Sequence, residues 1–453
     1  MTGSGSLFTS RCFKVQTMPL HTKILLGMAI GILAGGLVQV LGVPPETVEA
    51  LNAWIKPVGD IFLRLLFMMV IPLILSALTL GMAELGDLSR IGRIGLKTLI
   101  YTLLASGSSV AVGLVVFNVF QPASSLNPND RQMLLQQFSE QTNRVKTTLA
   151  TAPAKSFGDT LVQLVPKNPF EEMARAFESG YTGGGLLAVM FFALILGLAL
   201  SVADQEKVAP VKALLEGVYE VVMQVIGFGM KLAPYGVASL LFVMVSTTGF
   251  GLLKTLIYYV LVVLLALGIQ LFGVYALILQ FVARLSPLKF FKDIQEVMIT
   301  AFGTSSSNAT LPTAIRVSTE KLGLPPKISH FVLTIGSTAN QNGTALFEGM
   351  TVLFLAQCFG ISLSLTQQVT VVFMAILAGV GTAGVPGGSL PLMASILISV
   401  GAPGESIAII FGVDRILDMS RTVLNVAGDI VAAAVISRLE EPDFDHPEAS
   451  EIS

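Results

Sequence analysis

The sequence predicts an all-α integral membrane protein with about eight transmembrane helices and two re-entrant helical hairpins. Three observations carry this reading. Of the 453 residues, 53% are hydrophobic and 12% charged, with a mean hydropathy of +0.77, against roughly 25% charged in an ordinary soluble domain. Apolar runs of about 18 or more residues recur along the chain, and such a run crosses hydrocarbon only as a helix that closes its own backbone hydrogen bonds. Two further apolar segments, 290–327 and 362–400, are interrupted in their middles by glycine, serine and proline.

The spans fall near 24–43, 54–80, 96–120, 186–202, 208–245, 252–282, 331–359 and 407–435. Arg11, Lys14 and Lys23 precede the first. That run is too long for the core of a signal peptide and no small-residue cleavage pattern follows it, so it reads as a retained helix. Basic residues mark alternate short loops: Arg90, Arg93 and Lys97, then Lys207 and Lys212, then Arg284, Lys289 and Lys292. The positive-inside rule puts those loops and both termini in the cytoplasm of a multi-pass plasma (cell inner) membrane protein. The expected organisation is a cytoplasmic stretch at 1–22, helices one to six over 23–285 with an external insertion at 121–181, a core over 286–438, and a disordered acidic tail at 439–453.

Composition excludes several classes of function. Lysine plus arginine total 27 against 29 for aspartate plus glutamate, a net charge of −2, and no basic face offers a nucleic acid any footing. Cys12 and Cys358 stand far apart with no adjacent histidine, which excludes a disulfide framework and a thiolate zinc site.

The interrupted segments resemble one another. The first contains Gly303-Thr304-Ser305-Ser306-Ser307-Asn308-Ala309-Thr310-Leu311-Pro312, the second Gly381-Thr382-Ala383-Gly384-Val385-Pro386-Gly387-Gly388-Ser389-Leu390-Pro391. Each opens on Gly-Thr and closes on a hydroxyl residue before Leu-Pro, a weak internal repeat. Paired broken segments of this kind point to a membrane-transport site, where helix N-termini at hairpin tips offer N–H groups to an anion. Kinked spanning helices are the plainer alternative for either segment alone.

The last span carries Asp414, Asp418, Arg421, Asn425 and Asp429 on one face of an apolar helix. Each charge at mid-bilayer costs about 2.5 to 3.5 kcal/mol, so the stripe must face protein, ligand or trapped water. An internal Asp418–Arg421 ion pair explains one pair and leaves Asp429 without a partner. Arg421 is the arginine that this spacing sets beside Asp418. In the seventh span, Asn340-Gln341-Asn342-Gly343-Thr344 loosens the helix, and freed carbonyls with amide oxygens suit a small hard cation. The same amides could instead bind helices together for about 0.6 to 2 kcal/mol.

On these residues the chain closely resembles the dicarboxylate/amino acid:cation symporter family, the glutamate and aspartate transporters. The matching motifs are Thr304 to Pro312, Asn340 to Thr344, Gly381 to Pro386, the run from Asp418 to Asp429, and Pro166-Lys167-Asn168-Pro169. The resemblance implies an elevator-type transporter built on inverted repeats, a homotrimer embedded in lipid. Its scaffold would be spans one, two, four and five, and its moving domain spans three, six, seven and eight with both hairpins. It further implies that Arg421 clamps the substrate's side-chain carboxylate, Asp418 takes the ammonium, and Ser306, Ser307 and Asn425 take the main carboxylate. Thr344, Thr422, Val385 and Ser389 would close the pocket. A dicarboxylate lacking the ammonium should bind poorly, because it leaves Asp418 buried and unpaired.

For cations, the resemblance implies one sodium at Asp429 with Gly336, Asn340 and Asn425, and another on carbonyls near Thr338, Gly379, Val380 and Thr382. At a third place the chain departs from the family. Asn342 stands where sodium-coupled members carry aspartate, and the pattern's tyrosine and threonine fall on Thr102 and Ala105, with Ser106 alone persisting. That sodium site is expected to be lost. Glu348, one turn beyond Thr344, offers a titratable carboxyl that crosses hydrocarbon without a second ion when it holds a proton, or else pairs with a neighbouring helix.

The expected function is import of acidic amino acids, glutamate or aspartate, with co-transported protons, sodium or both, proton coupling favoured, and no resident cofactor. Purely sodium-coupled uptake, C4-dicarboxylate uptake and an anion channel remain open at this stage. Enzymes do not fit. On one helix Asp418 and Asp429 stand roughly 16 Å apart at about 1.5 Å per residue, whereas an aspartyl-protease dyad shares a proton across about 3 Å.

Overall fold

The computed structural model describes residues 20–85, 88–124, 126–137, 162, 165–176, 185–381 and 389–440, and every regular element among them is helical. In chain order these are α1 (Leu20–Val40), α2 (Pro45–Phe67), α3 (Val70–Leu73), α4 (Thr79–Leu85), α5 (Leu88–Phe120), α6 (Pro128–Gln137), α7 (Pro169–Arg175), α8 (Gly185–Val202) and α9 (Gln205–Thr248). They continue as α10 (Gly251–Gly268), α11 (Tyr275–Ile278), α12 (Pro287–Asp293), α13 (Gln295–Thr304), α14 (Ser307–Glu320), α15 (Pro326–Ala339), α16 (Asn342–Cys358), α17 (Leu365–Gly381), α18 (Leu390–Ser399) and α19 (Phe411–Glu440). Wider π turns at Ile74–Leu78, Ile269–Val274 and Leu279–Ala283 join neighbouring pieces into continuous rods.

Six helical runs among the described residues are long and apolar enough to span a bilayer: Thr22–Val40, Pro45–Ala83, Arg93–Phe120, Gln205–Thr247, Gly251–Ala283 and Phe411–Glu440. Ala188–Val202 is shorter. The expected seventh span is two helices, because α15 stops at Ala339 and α16 begins at Asn342. The interrupted segments fold as helix pairs, α13 with α14 and α17 with α18, each broken where glycine, serine and proline cluster. The tip of the second pair, 382–388, lies outside the described residues.

Two groups of helices emerge from the packing. In the first, α1 and α2 lie along α9, while α8 lies along α4. The α1–α9 seam is made by backbone: a Cβ on Gly27 or Gly31 would overlap the carbonyl oxygens of Pro234 and Ala238. With Gly35 these form a glycine stripe at every fourth residue, the spacing that brings membrane helices into close contact. Polar pairs fasten α9 to both helices: Gln39 Nε2 of α1 donates to the Ser246 carbonyl at 2.6 Å, and Ser239 Oγ of α9 donates to the Ile55 carbonyl of α2 at 2.6 Å. In the second group, α19 is surrounded by α5, α10, α13, α14, α15 and α16. The window of α19 is 83% inside the protein, that of α1 28%. Large apolar side chains such as Trp54, Leu104 and Phe281 point outward from the bundle, as a lipid-facing surface requires.

The end of α19 corrects the expected boundary at 438. The helix continues to Glu440, whose carboxylate receives Arg93 Nε at 3.0 Å and Nη2 at 2.7 Å, and lies 2.6 Å from Lys97 Nζ. Lys97 also donates to the Leu439 carbonyl. This clip holds the start of α5 to the end of α19 and stops the helix from fraying there. Only 441–453 of the expected tail, and 1–19 of the N-terminal stretch, lie outside the described residues.

Because the seam leaves no room for side chains, Gly31→Leu should cost about 1 to 3 kcal/mol or more of overpacking and lower the heat-denaturation midpoint of the detergent-solubilised protein. Gly217→Ala, where open space surrounds the helix, should leave it unchanged or slightly raised. Equal midpoints for Gly31→Leu and the parent protein would refute the seam.

Candidate functional site

The site is assembled on α19 from its enclosed polar face. Asp414, Asp418, Arg421, Thr422, Asn425 and Asp429 are all buried. Arg421 donates Nε at 3.0 Å and Nη2 at 2.6 Å to the same Asp418 oxygen, Oδ1, and its Nη1 lies 3.5 Å from Asp414 Oδ1. The Phe347 ring of α16 lies against the guanidinium, 4.4 Å from ring centre to Cζ, adding a cation–π contact in desolvated surroundings. Thr422 donates its hydroxyl to the Asp418 carbonyl at 2.7 Å.

A second arginine reaches the same carboxylate. Arg415 Nη1 lies 3.5 Å from Asp418 Oδ2, and its Nε is buried with no hydrogen-bond partner. This corrects the expectation that Arg421 alone stands beside Asp418. The spacing from 415 to 418 equals that from 418 to 421, so one turn of helix puts an arginine on either side of the aspartate.

The break between α15 and α16 is fastened to α19 by Asn425. Its Oδ1 accepts the Gly343 N–H at 2.7 Å, and its Nδ2 donates to Gln341 Oε1 at 2.7 Å and Thr344 Oγ1 at 3.0 Å. Gly343 is required here, since a Cβ would sit 2.5 Å from the Arg421 carbonyl oxygen. Asn340 Nδ2 donates to Asp429 Oδ1 at 2.8 Å, which gives Asp429 the partner that counting along the helix had denied it. Asn340 Oδ1 stays buried without a partner. The Gly336 carbonyl accepts the Asn340 N–H at 2.9 Å and keeps one lone pair, and the Thr338 carbonyl falls in the last turn of α15, where no intrahelical donor reaches it. A carboxylate, an open amide oxygen and helix-end carbonyls make an all-oxygen environment that fits a small hard cation. Gly379 and Val380 lie in the last turn of α17; Thr382 and Val385 lie outside the described residues.

At Asn342 the arrangement differs. Ser106 Oγ donates to Asn342 Oδ1 at 2.6 Å, Asn342 Nδ2 donates to the Tyr275 hydroxyl at 2.9 Å, and Ser109 Oγ donates to the Asn342 carbonyl at 2.9 Å. Thr102 and Ala105 lie buried on the same helix as Ser106. Here a neutral network satisfies the amide and brings no negative charge.

At the first hairpin tip, α13 ends on Ser305 in the left-handed region, φ +51°, a conformation sparsely populated by any residue but glycine. Ser306 accepts the Ala309 N–H at 3.2 Å and so caps α14. Ser305 Oγ, Ser307 Oγ and, from the second hairpin, Ser389 Oγ are buried without partners. Outside the tip, Glu296 pairs with Arg316 and Lys321 and locks α13 to α14. Glu348 is fully buried on α16 with both carboxyl oxygens unpartnered, so the expected alternative of a pairing helix finds no support. Sequence reasoning missed Arg415, Phe347 and Tyr275; only Arg415 had a signal, its three-residue spacing from Asp418.

Residues 20–439 match the sequence pattern described as the Sodium:dicarboxylate symporter family. The chain belongs to that family. Among its relatives, this family member is 35% identical to the proton/sodium-glutamate symport protein of Bacillus subtilis, over 93% of this chain and 92% of the relative. It is 34% identical to the proton/glutamate-aspartate symporter of Escherichia coli, over 95% and 94%. It is 30% identical to the C4-dicarboxylate transport protein of Anaeromyxobacter sp., over 93% and 90%. The symporter family name is thus shared by relatives of two substrate classes.

Asn425→Ala should strand the buried Gly343 N–H, at about 1 to 3 kcal/mol for the orphan, and leave Gln341 Oε1 with the longer Thr344 hydroxyl bond at 3.3 Å. The expected result is a lower denaturation midpoint even without substrate; an unchanged midpoint would show that Asn425 does not hold the break closed.

Proposed function

We propose that the protein is a secondary active symporter that imports glutamate or aspartate with protons, and that sodium contributes at Asp429. The observation that carries this reading is the buried Arg421–Asp418 pair, one cation and one anion placed side by side among unpartnered hydroxyls of both hairpins. An acidic amino acid replaces both halves of that pair. Its side-chain carboxylate takes the Arg421 fork bidentately, its ammonium takes Asp418, and its main carboxylate takes Ser307 with the N–H groups at the start of α14. Arg421 keeps Asp414 as its remaining counter-charge. The relatives named for glutamate and glutamate-aspartate symport support this substrate class.

For coupling, a cation at Asn342 would meet neutral dipoles only, all already committed to one another, which is an expensive place to strip an ion of water. Glu348 supplies the alternative. With neither oxygen hydrogen-bonded, it moves through the membrane neutral, carrying the proton, and releases it where water reaches it. The two packing groups fit an elevator in which α1, α2, α8 and α9 form a fixed scaffold, and α5, α10, both hairpins, α15, α16 and α19 carry the substrate. A homotrimer in the plasma membrane with both termini in the cytoplasm is part of this reading.

Replacing Arg421 by alanine leaves Asp414 and the substrate carboxylate without their nearest cation, and should weaken glutamate and aspartate uptake by about a hundredfold or more. Unchanged uptake would remove Arg421 from the site.

Coupling is tested in sodium-free proteoliposomes with an inward proton gradient: the parent protein should accumulate labelled glutamate, and Glu348→Gln should not. Proton-driven uptake that survives in Glu348→Gln would take Glu348 out of the mechanism.

A further inference from the structure

Arg415 has no part in the reading above, yet it approaches the group that sorts substrates. Its Nη1 lies 3.5 Å from Asp418 Oδ2, while Arg421 holds Asp418 Oδ1. Asp418 therefore sits between two guanidinium groups, and the four charges Arg415, Arg421, Asp414 and Asp418 sum to zero. The Arg415 side chain is 12% exposed and that of Asp418 6%, so the arginine stands nearer the edge of the site. A buried donor on a charged group without an acceptor, as at Arg415 Nε, is costly unless the group gains a partner in another state.

We propose that Arg415 is a positioning residue that sets substrate range: it neutralises Asp418 whenever the ligand brings no ammonium, so that the site accepts C4-dicarboxylates alongside acidic amino acids. The inference rests on the acidic amino-acid reading of the Arg421–Asp418 pair. Charge accounting separates the two ligands. Aspartate brings an ammonium to Asp418, and the Arg415 contact, the longer and more exposed of the two, yields. Succinate brings two carboxylates and no cation. One goes to Arg421, and Asp418 keeps Arg415, so no buried charge is left bare. Without Arg415, succinate would bind beside an uncompensated aspartate, whereas aspartate would lose nothing it uses.

The experiment measures labelled L-aspartate uptake into proteoliposomes holding the full chain, inhibited by unlabelled succinate or unlabelled L-aspartate. In the parent protein the two half-inhibition concentrations should agree within about tenfold; in Arg415→Gln succinate should weaken by about tenfold or more, while aspartate shifts by less than about threefold. Arg415→Lys keeps the charge and should keep the parent ratio. A merely structural role would move both inhibitors together, and an unchanged ratio in Arg415→Gln overturns the proposal. Should that variant not fold, the parent protein decides: succinate weaker than aspartate by about a hundredfold overturns the proposal and leaves amino-acid transport standing. No aspartate or glutamate uptake by the parent protein overturns the transport reading and this proposal with it.

Discussion

Charges on a helix inside hydrocarbon are tolerated only when they cancel, and this constraint governs the core of the protein. α19 carries Asp414, Arg415, Asp418 and Arg421 within two turns, and they meet as an interleaved set of two anions and two cations. Removing Arg421, which touches both aspartates, leaves desolvated carboxylates short of a counter-charge, which is far more damaging than removing a matched pair. The enclosure of α19 by its neighbouring helices follows, because only protein groups or bound ligand can answer charges at that depth. Asp429 and Glu348 fall outside the cancelling set. The first faces an amide and carbonyl ends suited to a cation, and the second meets no donor at all.

Around this set the broken elements are held by neutral polar groups. A helix interrupted in hydrocarbon exposes carbonyls and N–H groups that must find partners locally. Asn425 supplies them for the start of α16, and Ser306 and Thr304 supply them at the first hairpin tip. These side chains let non-helical backbone exist inside the helical bundle, while Gly336 and Gly343 allow the broken pieces to approach α19 closely.

Much of this was legible in the sequence because periodicity reports a helix face directly. Asp418, Arg421, Asn425 and Asp429 recur every three or four residues on an apolar background, and they share the buried face. The helix breaks announce themselves through glycine, proline and clustered amides. Side-chain reach and long-range meetings were harder to read. Arg415 follows Asp414 directly, and its contact with Asp418 depends on a long side chain folding back over one turn. Tyr275 meets Asn342 across 67 positions of sequence, in a stretch where π turns shift the facing of side chains and no pattern marks it. The resemblance located Ser106 beside Asn342, which local pattern alone could not have done.

The clip between Arg93, Lys97 and Glu440 differs from the buried contacts along the rest of the polar face of α19. Arg93 is 72% exposed there, and ions at a wet surface are screened within about 8 to 10 Å at physiological salt. The Arg421–Asp418 pair and the Asn425 bonds in the middle of α19 are buried, where dissolved ions do not reach. The exposed end of α19 is thus fastened by bonds that respond to the medium, so that ionic strength tunes the stiffness of that end while the buried middle stays insulated from it.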